Sequence, residues 1–225
     1  MPDYLGALSG GLRGLTIGVP SAFYVEDLDP DVARVLDQTI ATLTRAGVRL
    51  VQVKLPDQAR LSAAAQMVLN AEGAAFHANG LRTRPDDYGA QVRARLENGF
   101  AIPAVTYLEA LRWRGPALAA HLEAVAGIDA VLAPATPTPA PTIAATDLGG
   151  SPDAEAMIQR ITRFTRPVNY LGLPAVSLPC GFSSTGLPIG LQAISVPFTE
   201  ARLIRFGAAF QRETNFHEHM PQVPA

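Results

Sequence analysis

Among the 18 basic residues of this chain only Lys54 is a lysine, and Cys180 is the single cysteine. One cysteine excludes an intramolecular disulfide and any metal cluster built on cysteine, and it fits a reducing compartment. Any lysine chemistry has to run through Lys54. Charge is scarce as well: charged residues make up 17% and the formal net charge is −2, which leaves no basic footprint for DNA, RNA or an anionic membrane. The opening MPDYLGALSGG has neither a basic leader region nor a long apolar one, and no uninterrupted apolar run reaches the length of a spanning helix. These absences lead to the expectation of a cytoplasmic protein whose partner is a small molecule, with no nucleic acid and no membrane. The nucleophile elbow G-x-S-x-G, the phosphate loop G-x-x-x-x-G-K-[ST] and the dinucleotide fingerprint G-x-G-x-x-G are missing too, so no cofactor is expected. His217 and His219 sit in a polar tail, and two ligands do not make a zinc site, so no metal is expected either.

What is present is a chain of 225 residues, 48% hydrophobic, enough to bury a core as one domain over residues 1–225. GLRGLTIGVP predicts a strand over 15–19, opened by Gly14 and stopped by Pro20. A helix follows, with Asp29 as its cap, Pro30 at its first position and Gly47 as its stop. VRLVQVKL returns as a strand and completes a βαβ unit, which points to an α/β layer fold. Residues 57–125 read as mostly helical, with breaks at 80–85 and 99–103 and a kink or fresh helix start at Pro116. DAVLAP is a short buried strand that runs into the stiff segment PATPTPAPT. A polar loop then leads to a helix ending near Thr165. The next stretch, FTRPVNYLGLPAVSLPCGF, is too broken for a helix and too apolar for a loop. Its second half enters a strand, AVSLPCGF, paired antiparallel with LPIGLQAIS across the turn SSTG, and a last helix spans 199–212.

The residues that could carry chemistry have plainer roles. Cys180 lies on an apolar strand between Pro179 and Gly181, without the electropositive surroundings that make a thiolate reactive. His77 and His121 sit in helical patterns among apolar neighbours, as packed or capped histidines do. Ser151, followed by Pro152 and Asp153, has the form of a helix N-cap rather than a nucleophile.

The order of FTRPVNYLGLPAVSLPCGF, GLPIGLQAIS and PFTEARLIRFGAAFQRET resembles the C-terminal half of the amidase signature family. The likeness extends upstream through GLRGLTIGVP, NAEGAAFH, RPDDYGAQVRARLENG, IPAVTYLEALRWR and DAVLAPATPTPAP, and so covers essentially the whole chain. It implies a mixed β-sheet flanked by helices, incomplete on its N-terminal side, and hydrolysis of carboxylic amides to acid and ammonia. Family members use a serine nucleophile in a G-G-S-S-G-G run, a second serine before a cis peptide, and a lysine. None of these stands in the matched positions: Lys54 and Ser151 fall in the wrong places in the chain order, and Pro2, Asp3 and Tyr4 resemble what lies just downstream of the catalytic portion. The resemblance therefore assigns no catalytic residue here and implies a complementing N-terminal segment. It implies substrate-pocket roles for Thr136 in PATP and for Thr165 and Asn169 in FTRPVN. The A-type polypeptide of the glutamyl-tRNA amidotransferase carries an acidic residue two positions before FT; Thr162 stands there instead, which favours a general amidase over an amidotransferase. The alternatives are a non-catalytic remnant acting as an interaction module, a fragment like that amidotransferase polypeptide, and a hydrolase repurposed around Cys180. An amidase half would also carry a large apolar surface where its complement packs.

Overall fold

The computed structural model describes residues 3–147 and 151–221. Met1, Pro2 and the two glycines before Ser151 lie outside them. The helices, in chain order, are α1 (Tyr4–Ala7), α2 (Pro30–Arg45), α3 (Gln58–Thr83), α4 (Ala90–Asn98), α5 (Ala104–Ala124), α6 (Ile143–Thr146), α7 (Pro152–Ile161), α8 (Arg166–Leu171) and α9 (Glu200–Glu213). The strands are β1 (Thr16–Pro20), β2 (Arg49–Val53), β3 (Ala130–Pro134), β4 (Ala175–Phe182) and β5 (Pro188–Ile194). Two compact units result: a sheet unit of residues 1–55, 121–140 and 172–225, and a helical unit of residues 56–120 and 141–171.

In the sheet unit the strand order is β2-β1-β3-β5-β4. β1 pairs in parallel with both β2 and β3, and β5 runs antiparallel to β3 and to β4. The sheet is therefore mixed and, with its helices, has the expected α/β architecture. The βαβ unit forms for reasons already written in its residues. Asp29 accepts a hydrogen bond from the Asp31 N–H at 2.9 Å, satisfying a donor that the first turn of α2 leaves open. Gly47, at φ 82°, turns the chain out of the helix in a conformation that costs glycine little. Val32, Val35 and Leu43 of α2 meet Phe206 and Phe210 of α9 in one core with Ile17, Leu132 and Leu191 of the strands. Burial of β3 is complete along its length, as expected of DAVLAP. Beyond it the proline-rich segment is ordered, and the Pro137 carbonyl accepts from the Asp29 N–H at 2.9 Å.

Of the two outcomes expected at Pro116, the fresh start does not occur: α5 runs through it. Pro116 and Arg112 are both exposed, so water can serve the carbonyl that loses its partner to the proline. The helix expected to end near Thr165 ends at Ile161, and it starts at Pro152, inside the expected loop. Part of the stretch read as too broken for a helix is α8 itself. Pro167 is its second residue, where no intrahelical donor is required, and Gly172, at φ 69°, ends it. Among the described residues no helix is long and apolar enough to cross a membrane.

Candidate functional site

The helical unit holds a cavity of about 440 Å³. Its apolar wall comes from Ala65, Val68 and Leu69 of α3 and Leu111 of α5, and its polar groups include Arg166 and Asn169 of α8. Local bonds set the approach to α8. Thr165 donates its hydroxyl to the Thr162 carbonyl at 3.1 Å, and Asn169 donates its side-chain amide to the Thr165 carbonyl at 3.0 Å. Asn169 is exposed and Thr165 half-buried, so Asn169 reaches the cavity while Thr165 shapes the turn that carries it. Tyr170, the next residue, is buried, donates its hydroxyl to the Ala110 carbonyl and lies with its ring 6.1 Å from that of Trp113. α8 is thereby fastened to α5. Thr136 belongs to the sheet unit, where its hydroxyl donates to the Thr138 carbonyl at 2.7 Å and folds the proline-rich segment.

Arg166 and Arg114 also line this cavity, and neither stands out in the sequence. A charged residue on a helix reads as a solvated face, and no local pattern announces a cavity between helices. The one available signal is the arginine inside FTRPVN, a charge in an otherwise apolar stretch.

Cys180, Ser151, Ser184 and His77 have local partners. Cys180 is buried on β4 and donates to the Ile189 carbonyl at 3.4 Å. Burial raises its thiol to about 11, the opposite of an activated nucleophile. Ser151 caps α7 through the Ala154 N–H at 3.3 Å. Ser184 does touch a carboxylate, donating to Asp31 Oδ2 at 2.8 Å. That carboxyl is held at about 2 by its bond from Arg34 and those from Ser184, and it is too weak a base to take a hydroxyl proton. Among the described residues no group of three or more histidine, cysteine, aspartate or glutamate side chains could hold a metal. His77 bonds the Tyr88 hydroxyl at 3.2 Å through Nδ1, a packed role.

His121 is buried, and its Nδ1 has no hydrogen-bond partner among the described residues. Burial disfavours the charged ring and lowers it to about 4. An unfolded histidine titrates near 6.5, so the unfolded chain binds the extra proton first as pH falls. Stability from this group is complete above pH ~6.5 and disappears on the way to pH ~4. At pH 5 the loss is about 2 kcal/mol. Melting curves from pH 7 to 4 should be flatter for His121→Gln than for the parent; parallel curves would acquit this residue.

A mixed five-stranded sheet with flanking helices and a helical unit that bears an amphipathic cavity define an α/β protein. A family model described as Amidase matches residues 2–204. An amidase from Pseudomonas putida is 34% identical over 225 residues, covering 99% of this chain and 48% of that protein. The A-type polypeptide of the glutamyl-tRNA(Gln) amidotransferase of Geobacter metallireducens is 34% identical over 242 residues, covering 96% of this chain and 49% of its own length. Among solved structures, one from work on a vestigial protein complex and the evolutionary origins of an s-triazine catabolic enzyme superposes with a TM-score of 0.81 at 28% identity, covering 96% of this chain and 46% of that one. The chain belongs to the amidase family. It spans about half the length of these relatives.

Proposed function

We propose that this chain is the C-terminal portion of one amidase domain that hydrolyses carboxylic amides to acid and ammonia in the cytoplasm. In this reading the two serines and the lysine of the reaction come from a complementing N-terminal segment, and residues 1–225 alone are inactive. The observation that carries it is the match to the Pseudomonas putida amidase along 99% of this chain but 48% of that protein. Two features of the molecule support it. Neither Ser151 nor Ser184 pairs with a group basic enough to activate it. Large apolar side chains also stand exposed on the helical unit, among them Phe76, Val92, Phe100 and Val105, surface of the kind a complementing segment would cover.

Asn169 would contact the amide substrate from the cavity wall, with Thr165 behind it, and Thr136 is a substrate-pocket residue by its place in the family motif alone. An amidotransferase role is disfavoured at Thr162. This residue is uncharged, donates to the Ile158 carbonyl at 2.7 Å and accepts from Arg166 Nε at 3.0 Å, so it offers no carboxylate to an ammonium group.

The test is ammonia release from a panel of aliphatic and aromatic amides. Purified residues 1–225 should release none. Co-expression with the N-terminal half of a related amidase should restore turnover, and a folded complex of the two halves that stays silent across the panel would overturn the reading. A chain that melts cooperatively alone and binds a protein partner without turnover would favour the interaction-module alternative.

A further inference from the structure

Arg166 is the cavity's most constrained polar group. Its Nε donates to Thr162 Oγ1 at 3.0 Å, its Nη1 to Ser62 Oγ at 3.3 Å and its Nη2 to the Gln159 carbonyl. All three acceptors are neutral. They fix the plane of the guanidinium and leave two of its five N–H groups uncommitted, without offsetting its charge. The carboxylates nearby are engaged elsewhere. Glu155 lies 3.3 Å from Arg95, and the Glu72 carboxylate, also on the cavity wall, accepts from the Tyr107 hydroxyl at 3.0 Å. Arg114, the second guanidinium of the lining, makes no hydrogen bond or ion pair with any described residue. Two cationic forks therefore share the cavity with one carboxylate. Burial works against the charge on Arg166, as does Arg95, while Glu155 favours it. A guanidinium held by neutral acceptors in this way keeps N–H donors for an anion.

We infer that this cavity takes an amide substrate with an apolar acyl chain ending in a carboxylate, and that Arg166, assisted by Arg114, binds that carboxylate. The inference rests on the amide-hydrolysing reading above and names the substrate class for it. The apolar wall of Ala65, Val68, Leu69 and Leu111 accommodates the chain. The preset fork of Arg166 matches a planar carboxylate, with little ordering left to occur on binding. A volume of about 440 Å³ is within the range of small-ligand sites.

The experiment needs no turnover. Octanoate and octanamide, equal in length and differing in charge, are titrated calorimetrically into residues 1–225 and into the Arg166→Gln and Arg114→Gln variants. Octanoate should bind about tenfold tighter than octanamide. Arg166→Gln should erase that preference, and Arg114→Gln, at an exposed position, should cut it about threefold. If Arg166→Gln does not fold, the Arg114→Gln result and the parent's preference decide. Equal affinities in the parent, no binding of either probe, or a preference that survives the substitutions would overturn the proposal. Because neither readout involves ammonia, a failure here leaves the hydrolysis reading to its own assay.

Discussion

Replacing Phe206 by alanine should lower the stability of the sheet unit by about 3–5 kcal/mol. Phe206 is 1% exposed and stacks on Phe210 with ring centroids 6.1 Å apart and planes 10° from parallel. The pair lies on α9 and fills the core among Leu178, Leu191 and Leu203. Alanine there removes most of a buried aromatic side chain and leaves a void between helix and strands, which a packed core closes only in part. Phe206→Leu keeps more of the volume and should cost distinctly less. Urea unfolding followed by far-UV circular dichroism supplies the numbers. A loss under about 1 kcal/mol for the alanine variant would mean that α9 contributes little to holding the sheet.

Gly99→Ala should destabilise the helical unit by about 3 kcal/mol. A Cβ at this position would stand 2.0 Å from the Asn70 carbonyl oxygen and 2.6 Å from Ala74 Cβ, both on α3. Neither is a flexible side-chain end that can swing aside, so the end of α4 has to move off α3. Gly89→Ala is the control. It caps the other end of the same helix, a Cβ there meets nothing within 4 Å, and its φ of −57° suits any residue. The chain's single tryptophan, Trp113, lies in the helical unit under the Arg60 guanidinium at 4.2 Å, so its fluorescence follows this unit. Equal midpoints for the two variants would contradict the close packing of α3 and α4.

The elements legible in the sequence are those whose ends carry their own chemistry. Asp29, Pro30 and Gly47 bracket α2, Ser151 caps α7, and the turn between β4 and β5 follows its glycine and serines. α8 is hidden, because a proline at its second position and a glycine just after its end look like interruptions when so few residues separate them. Only tertiary contacts, such as the bond from Tyr170 to Ala110, make six residues helical there. At Pro116 no fresh helix starts, since the bond lost to the proline falls at an exposed position. The family motifs direct attention to Asn169, which does line the cavity, whereas Arg114 and Arg166 become visible only when α3, α5 and α8 are packed together. A motif identifies chemistry along the chain, and a cavity is a property of segments distant in it.

The sheet is written discontinuously. β1 sits between β2 and β3, and the Thr16 N–H donates to Asp129 Oδ2 at 2.8 Å across 113 positions of sequence. Everything from residue 56 to 120 is threaded out of the sheet unit and back before β3 can dock, and residues 141–171 leave it again before β4 and β5 arrive. Closing such loops costs entropy before any pairing rewards it, and topologies rich in distant contacts fold slowly. During synthesis the β1-α2-β2 portion waits with one flank of β1 bare until most of the polypeptide has emerged. The order in which this protein is made is thus not the order in which it can be finished, and its early life is when an unpaired strand is most open to a wrong neighbour.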